Sequence, residues 1–250
     1  MVAVDWSGDA RAPERRSAVA EVADGELRDV RPAARAPEMA ARLIALAAEG
    51  PLLVGLDFVF GFPEWFARER LGARSIDEVW AAAERDGERW LAACEPPFWG
   101  RGGRPRPPAD RRRPEFRRTD LESPFRPKSV FQIGGGGAPG TGSIRGMPLL
   151  RRLRAAGFAI WPFDDAGPAT AVEIYPRVLT GPVVKSRAAA RRARLEADGR
   201  IPAHLLDHVA GSEDRLDAAL SALEMWRNAP AVRELRALPR SSLEGAIWRP

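Results

Sequence analysis

Two apolar runs in this chain each stop on an aspartate. Val2-Ala3-Val4 ends in Asp5, followed by Trp6-Ser7-Gly8, and Leu52-Leu53-Val54-Gly55-Leu56 ends in Asp57. Short apolar runs of this kind read as buried strands. An aspartate there needs a partner, because an unpaired buried charge is very costly. Asp214 and Asp217 stand three apart in a late helical segment and so share a face. Glu173, inside the strand-like Ala171-Val172-Glu173-Ile174-Tyr175, is a possible additional acid. Carboxylates gathered at strand ends and a helix rim would form an oxygen-rich site for Mg²⁺ or Mn²⁺. Two such ions about 4 Å apart activate water and stabilise the leaving oxygen of a phosphodiester. Asp5, Asp57, Asp214 and Asp217 are the expected catalytic acids. Asp5, Asp57 and Asp217 are the expected metal ligands, and the donor set allows one ion or two.

Plainer readings stand beside these. Asp214 would favour the helix dipole from the first turn. Asp217 would pair with a neighbouring arginine, and Glu173 would face solvent between Val172 and Ile174. For Asp5 the turn at Ser7-Gly8 leaves room for a ligand to approach.

A phosphate would need cations and backbone amides near these acids. Ser7, Arg118, Lys128 and Arg145 are candidate phosphate contacts, since arginine binds phosphate through a fork. The glycine-rich run Gly134 to Gly142 lacks the lysine of a P-loop. It would still offer N–H groups at a helix N-terminus, or act as a plain linker. Trp6, Phe58, Phe60, Phe62 and Trp99 are candidates for base stacking, although aromatics beside Gly and Pro more often plug cores. His204 and His208 lie one helical turn apart with no third ligand nearby. Cys94, the single cysteine, excludes an internal disulfide or a thiolate zinc cluster and reads as a buried thiol.

The composition is that of a globular protein: 250 residues, 45% hydrophobic, 29% charged. No apolar run approaches the roughly 18 residues of a membrane span, and the N-terminus does not read as a signal peptide. A cytoplasmic protein with no membrane partner is expected. The net charge of +5 suits a polyanion such as nucleic acid. With only Lys128 and Lys185 as lysines, the arginine bias also fits a GC-rich genome.

The elements that must position the acids follow from periodicity and turn signals. Residues 2–7, 17–22 and 26–30 read as strands, the last two joined by the hairpin signal Asp24-Gly25. Residues 37–48 read as a helix and 52–57 as a central parallel strand. Residues 64–71 and 75–94 look helical, with Ser75 and Glu78 as a capping box and Trp80, Trp90 and Leu91 inward. The Pro/Arg/Gly-rich stretch 96–127 keeps no period and reads as either a long functional loop or a partly disordered insertion. Then follow a short strand at 128–133, the glycine-rich loop, a helix over 143–156, strands over 158–163 and 171–175, a basic helix over 185–197, and an amphipathic helix over 213–226. One domain over 1–250 is expected, with 62–142 as an insertion carrying helices and a basic loop.

This order of features resembles the ribonuclease H-like superfamily. More narrowly, the chain is similar to the DUF429 family, whose members are predicted RNase H-like nucleases. The likeness rests on Val2 to Gly8, Gly55 to Pro63, Arg117-Arg118-Thr119-Asp120, Lys128 to Gly134, Gly140 to Met147, Val172 to Pro176 and Asp214 to Ala218. The resemblance implies an α/β fold: a mixed sheet of three antiparallel strands and then parallel ones, helices on both faces, and acids on the first strand, the fourth strand and the last helix. Asp5, Asp57 and the Asp214/Asp217 pair match those slots; Glu173 has none. The implied activity is a divalent-metal-dependent nuclease or phosphodiesterase, a hydrolase acting on nucleic acid. A phosphotransferase or ATP-binding protein of the actin/hexokinase-like type is one alternative, suggested by Asp-Trp-Ser-Gly. A non-catalytic nucleic-acid-binding module is the other.

Overall fold

A computed structural model of the chain describes residues 1–9, 12, 15–239 and 242–250. Six strands form its centre: β1 (Val2–Asp5), β2 (Ala18–Ala23), β3 (Glu26–Pro32), β4 (Leu52–Asp57), β5 (Ala159–Ile160) and β6 (Ala169–Glu173). They make one sheet in the order β3-β2-β1-β4-β6-β5. The pairings β1–β2 and β2–β3 are antiparallel. Those of β1–β4, β4–β6 and β5–β6 are parallel. The hairpin between β2 and β3 turns on Asp24 and Gly25, both at positive φ (54° and 82°), which matches the right-handed twist of the flanking strands.

Side chains alternate across a strand, and that alternation builds two cores. Val2, Val4, Leu52, Val54 and Leu56 face a layer made by α1 (Ala36–Glu49), α2 (Ile76–Ala93) and α4 (Pro139–Ala155). Ala3, Ala20, Leu53 and Val172 face the other layer. It contains α5 (Pro176–Leu179), α6 (Ala188–Glu196), α7 (Ala203–Ala210), α8 (Glu213–Arg227) and α9 (Ala229–Arg233). The short α3 (Arg118–Glu122) lies within the stretch 62–142. That stretch also contributes Phe62, Phe66, Trp80, Phe98 and Phe131 to the first core.

Several elements differ from the sequence reading. The helix expected from Ser143 begins at Pro139, which occupies the first turn, so Gly140 and Gly142 are helical. Residues 128–133 form no strand beyond a single bridge from Gln132 to Trp99. The strand expected over 158–163 is only β5, because the chain turns where Phe163 N donates to Ile160 O. The helix expected over 64–71 is a π-helical turn over Phe66–Arg70. The basic helix starts at Ala188, leaving Lys185 in the turn before it. Helix α7 was not foreseen. Ser75 caps α2 by accepting from Glu78 N, but Glu78 returns its carboxylate to Arg74 N rather than to Ser75. Among the described residues no helix is long and apolar enough to cross a membrane.

Candidate active site

Asp5 and Asp57 are register partners at the carboxyl ends of β1 and β4. Neighbouring strands lie about 4.8 Å apart. By alternation Asp5 continues the face of Ala3, and Asp57 the face of Leu53 and Gly55. Both acids therefore face the layer of α8. Ser212 caps that helix by accepting from Arg215 N at 3.1 Å. Leu216, Ala219, Leu220 and Leu223 bury its inner side. Its depth is set at Gly55, where an added Cβ would stand 2.4 Å from Met225 Sδ. The bare glycine lets the helix close on the strand and brings its amino-terminal acids toward the strand ends.

The four acids share one electrostatic environment. Burial raises the pKa of Asp5 well above the ordinary carboxylate value, and the charges of Asp57, Asp217 and Asp214 add to it. Burial and then Asp217 do the same to Asp57. Asp217 and Asp214 are raised as well, mainly by burial. One ammonium opposes this: Lys185 Nζ donates to Asp217 Oδ2 at 2.8 Å and lies 2.6 Å from Oδ1. It approaches Oδ1 off the hydrogen-bonding direction, so that buried oxygen has no hydrogen bond. Asp5 and Asp57 make no hydrogen bond or salt bridge among the described residues. As the side chains stand, no three acids, histidines or cysteines among those residues close around one point as a metal site. The donor set is all oxygen, with two carboxylates, Asp5 and Asp57, that have no hydrogen-bond or salt-bridge partner among the described residues. That chemistry fits a hard divalent ion that would complete the shell with waters.

Glu173 stands near enough for its charge to raise the Asp57 pKa, but it is held differently. Ala171 faces the first core and Val172 the second, so Glu173 points to the face opposite Asp57. It is not the solvent-side residue that its alternation suggested. Arg117 Nη2 donates to Glu173 Oε1 at 2.6 Å and Nη1 to Oε2 at 2.8 Å, while Phe60 N donates to Oε2 at 2.9 Å. The same guanidinium holds Asp120 Oδ1 at 2.8 Å. All three side chains are buried. Burial raises the Glu173 pKa, and Arg117 opposes that rise. With its oxygens engaged by Arg117 and Phe60, Glu173 is a structural anion in this arrangement.

A cleft of about 520 Å³ opens at the carboxyl ends of β4 and β6. Asp57 and Ser7 line it, together with Arg16, Lys128, Tyr175, the cluster of Arg117, Asp120 and Glu173, and the backbone of Gly135 and Gly137. Ser7 Oγ is shared with Ser17 Oγ at 2.9 Å. Lys128 reaches Gly136 O at 2.5 Å and borders the cleft. Arg118 is exposed and not part of its lining, and only its backbone N–H is held, by Glu244. Arg145 is engaged with Glu88 (2.6 and 2.8 Å) and with Gly8 O (2.8 Å), outside the cleft. A larger cavity, about 880 Å³, is at the opposite end of the sheet around Pro51 and Trp226. It holds no acid cluster, and its Arg194 and Arg200 are paired with Asp198.

Most of the aromatic candidates are core residues. Phe58, Phe60 and Phe62 are at most 4% exposed, and Trp6 Nε1 donates to Gly142 O. His208 Nε2 is engaged by Val30 O at 2.9 Å, and Cys94 is a buried free thiol. The sequence reading missed Lys185 and Arg117. Lys185 carried one available signal, its rarity in an arginine-rich chain. No family model, curated protein or solved structure matches the chain.

Proposed function

We propose that the chain is an RNase H-like, divalent-metal-dependent phosphodiesterase acting on nucleic acid, of the kind that its resemblance to DUF429 implies. The observation that carries this reading is the in-register pair Asp5 and Asp57, unpaired and facing Asp217 and Asp214 beside an open cleft. The acids stand on the first strand, the fourth strand and α8, which only the short α9 follows, where the resemblance implies the first strand, the fourth strand and the last helix. Asp5 and Asp57 would hold Mg²⁺ or Mn²⁺, with Asp217, paired to Lys185, beside them. When bound, the ion supplies Lewis acidity, activating water and neutralising charge at phosphorus. Lys128 and the amides of Gly135 and Gly137 would orient the phosphate, and Tyr175 would wall the cleft.

The test is hydrolysis of single- and double-stranded DNA and RNA with Mn²⁺, by wild type and Asp5→Asn. Metal-dependent cutting that the variant loses is expected, by a factor of 100 or more on the order of other catalytic-group losses. No cutting of any substrate, or full activity in Asp5→Asn, defeats the reading. Tight ATP binding without cutting would favour the phosphotransferase. Metal-independent, salt-sensitive binding would favour the binding module.

A further inference from the structure

Lys185 is one of only two lysines in the chain, and its ammonium is paired with Asp217. It contacts both oxygens of Asp217, at 2.6 and 2.8 Å. It also acts electrostatically on Asp5 and Asp57. The two side chains of the pair are 22% and 15% exposed. A lysine at a free surface keeps its ammonium in water; this one is turned inward.

The backbone that carries it is fastened. The buried Arg191 donates from Nη1 to Lys185 O at 2.5 Å and from Nε to Ala210 O at 2.7 Å. Ala210 ends α7, and Ser212 begins α8 two residues later. The turn of Lys185 and the helix of Asp217 thus hang on one frame, and the ammonium is held against Asp217.

Charge then limits what else the cluster accepts. On Asp214 the charge of Glu213 is opposed by those of Arg16 and Arg215; among the other three acids, Asp5, Asp57 and Asp217 carry three negative charges against the single charge of Lys185. One divalent ion brings the group to neutrality. A second would leave two positive charges in excess, with an ammonium as a close like-charged neighbour. We infer, resting on the metal-dependent reading above, that the site takes one divalent ion, held by Asp5 and Asp57. Lys185 is then the fixed second cation over Asp217, where another ion would otherwise sit.

Calorimetric titration of the whole chain with MnCl₂ tests this without reference to activity. Wild type is expected to bind one ion per chain, and Asp5→Asn to lose it. Lys185→Met and the neutral, more polar Lys185→Gln are expected to bind two, while Lys185→Arg keeps one. Circular dichroism checks that each variant is folded, and the wild-type count stands even if a neutral variant does not fold. Two ions in wild type, or any result other than a second ion in a folded neutral variant, overturns the inference while leaving the metal-dependent reading intact. No ion in wild type overturns both.

Discussion

Asp57 is a half-buried carboxylate with Asp5 opposite it and no hydrogen-bonding partner among the described residues. Burial, then the charge of Asp217, holds its pKa well above the ordinary value, and burial, then Asp57, does so for Asp5. A carboxyl raised in this way keeps its proton longer in the folded chain than in the unfolded one. Its contribution to stability is complete below the ordinary carboxylate pKa of about 4 and is lost as pH rises through the raised value. Metal-free protein should therefore lose thermal stability as pH climbs from about 4 toward neutrality. Asp57→Asn removes the charge, so it should flatten the profile and raise the melting temperature near neutral pH. For a chain of this size each kcal/mol recovered is worth roughly 2–4 °C. Circular-dichroism melts in EDTA across this range compare the two proteins, and the comparison cancels groups that titrate alike in both. Superimposable profiles would show that Asp57 is not under this strain.

Helix α8 is the element on which the site depends, and its distance from the sheet is set by a missing side chain. A Cβ at Gly55 would meet Met225 Sδ at 2.4 Å and two Ile174 carbons at 3.0 Å. Met225 and Ile174 are buried and have no surface to swing into. Gly55→Ala should cost about 1–3 kcal/mol through overpacking. It should also lift α8 and carry Asp217 away from Asp57. A lowered urea midpoint with weakened Mn²⁺ binding is the expected pair of results. A variant with both unchanged would show that the helix does not need this contact. The cap at Ser212 was readable in the chain, because serine before an acidic first turn is a helix-start signal. The role of Gly55 was not, since the reading of β4 as a central strand explains a run of small and apolar residues without saying which one a helix must cross.

On the scale of the whole molecule, a buried polar network ties the stretch 62–142 to the sheet, beside the aromatic packing of the first core. Arg117 links α3 through Asp120, β6 through Glu173 and the carboxyl-terminal segment through Glu244 O. That segment closes the arrangement, with Trp248 N donating to Glu173 O at 2.8 Å and Ile247 N to Thr119 Oγ1 at 3.0 Å. Arg117→Met would leave two buried carboxylates without their cation. Removing one partner of such a network costs about 3–5 kcal/mol, so the urea midpoint should fall sharply. A loss below about 1 kcal/mol would mean that the network is replaceable. The Arg-Arg-Thr-Asp motif was visible in the sequence, but it pointed to Arg118 as a phosphate contact. The fold instead buries Arg117 and leaves Arg118 outside the cleft.

The sequence by itself determined the central sheet's beginning and the two aspartates at its strand ends. Apolar runs, a hairpin signal and an N-cap are local features, and local periodicity reports them directly. It also determined that Asp214 and Asp217 share a helix. Only the tertiary structure decided which acids meet. Glu173 follows the same kind of apolar run as Asp57, yet the strand pleat turns it to the other face, where Arg117, 56 residues earlier, neutralises it. Lys185 reaches Asp217 across 32 residues. Such pairings depend on how far one layer slides over another, and that distance is set by packing at positions such as Gly55, not by the composition of either segment.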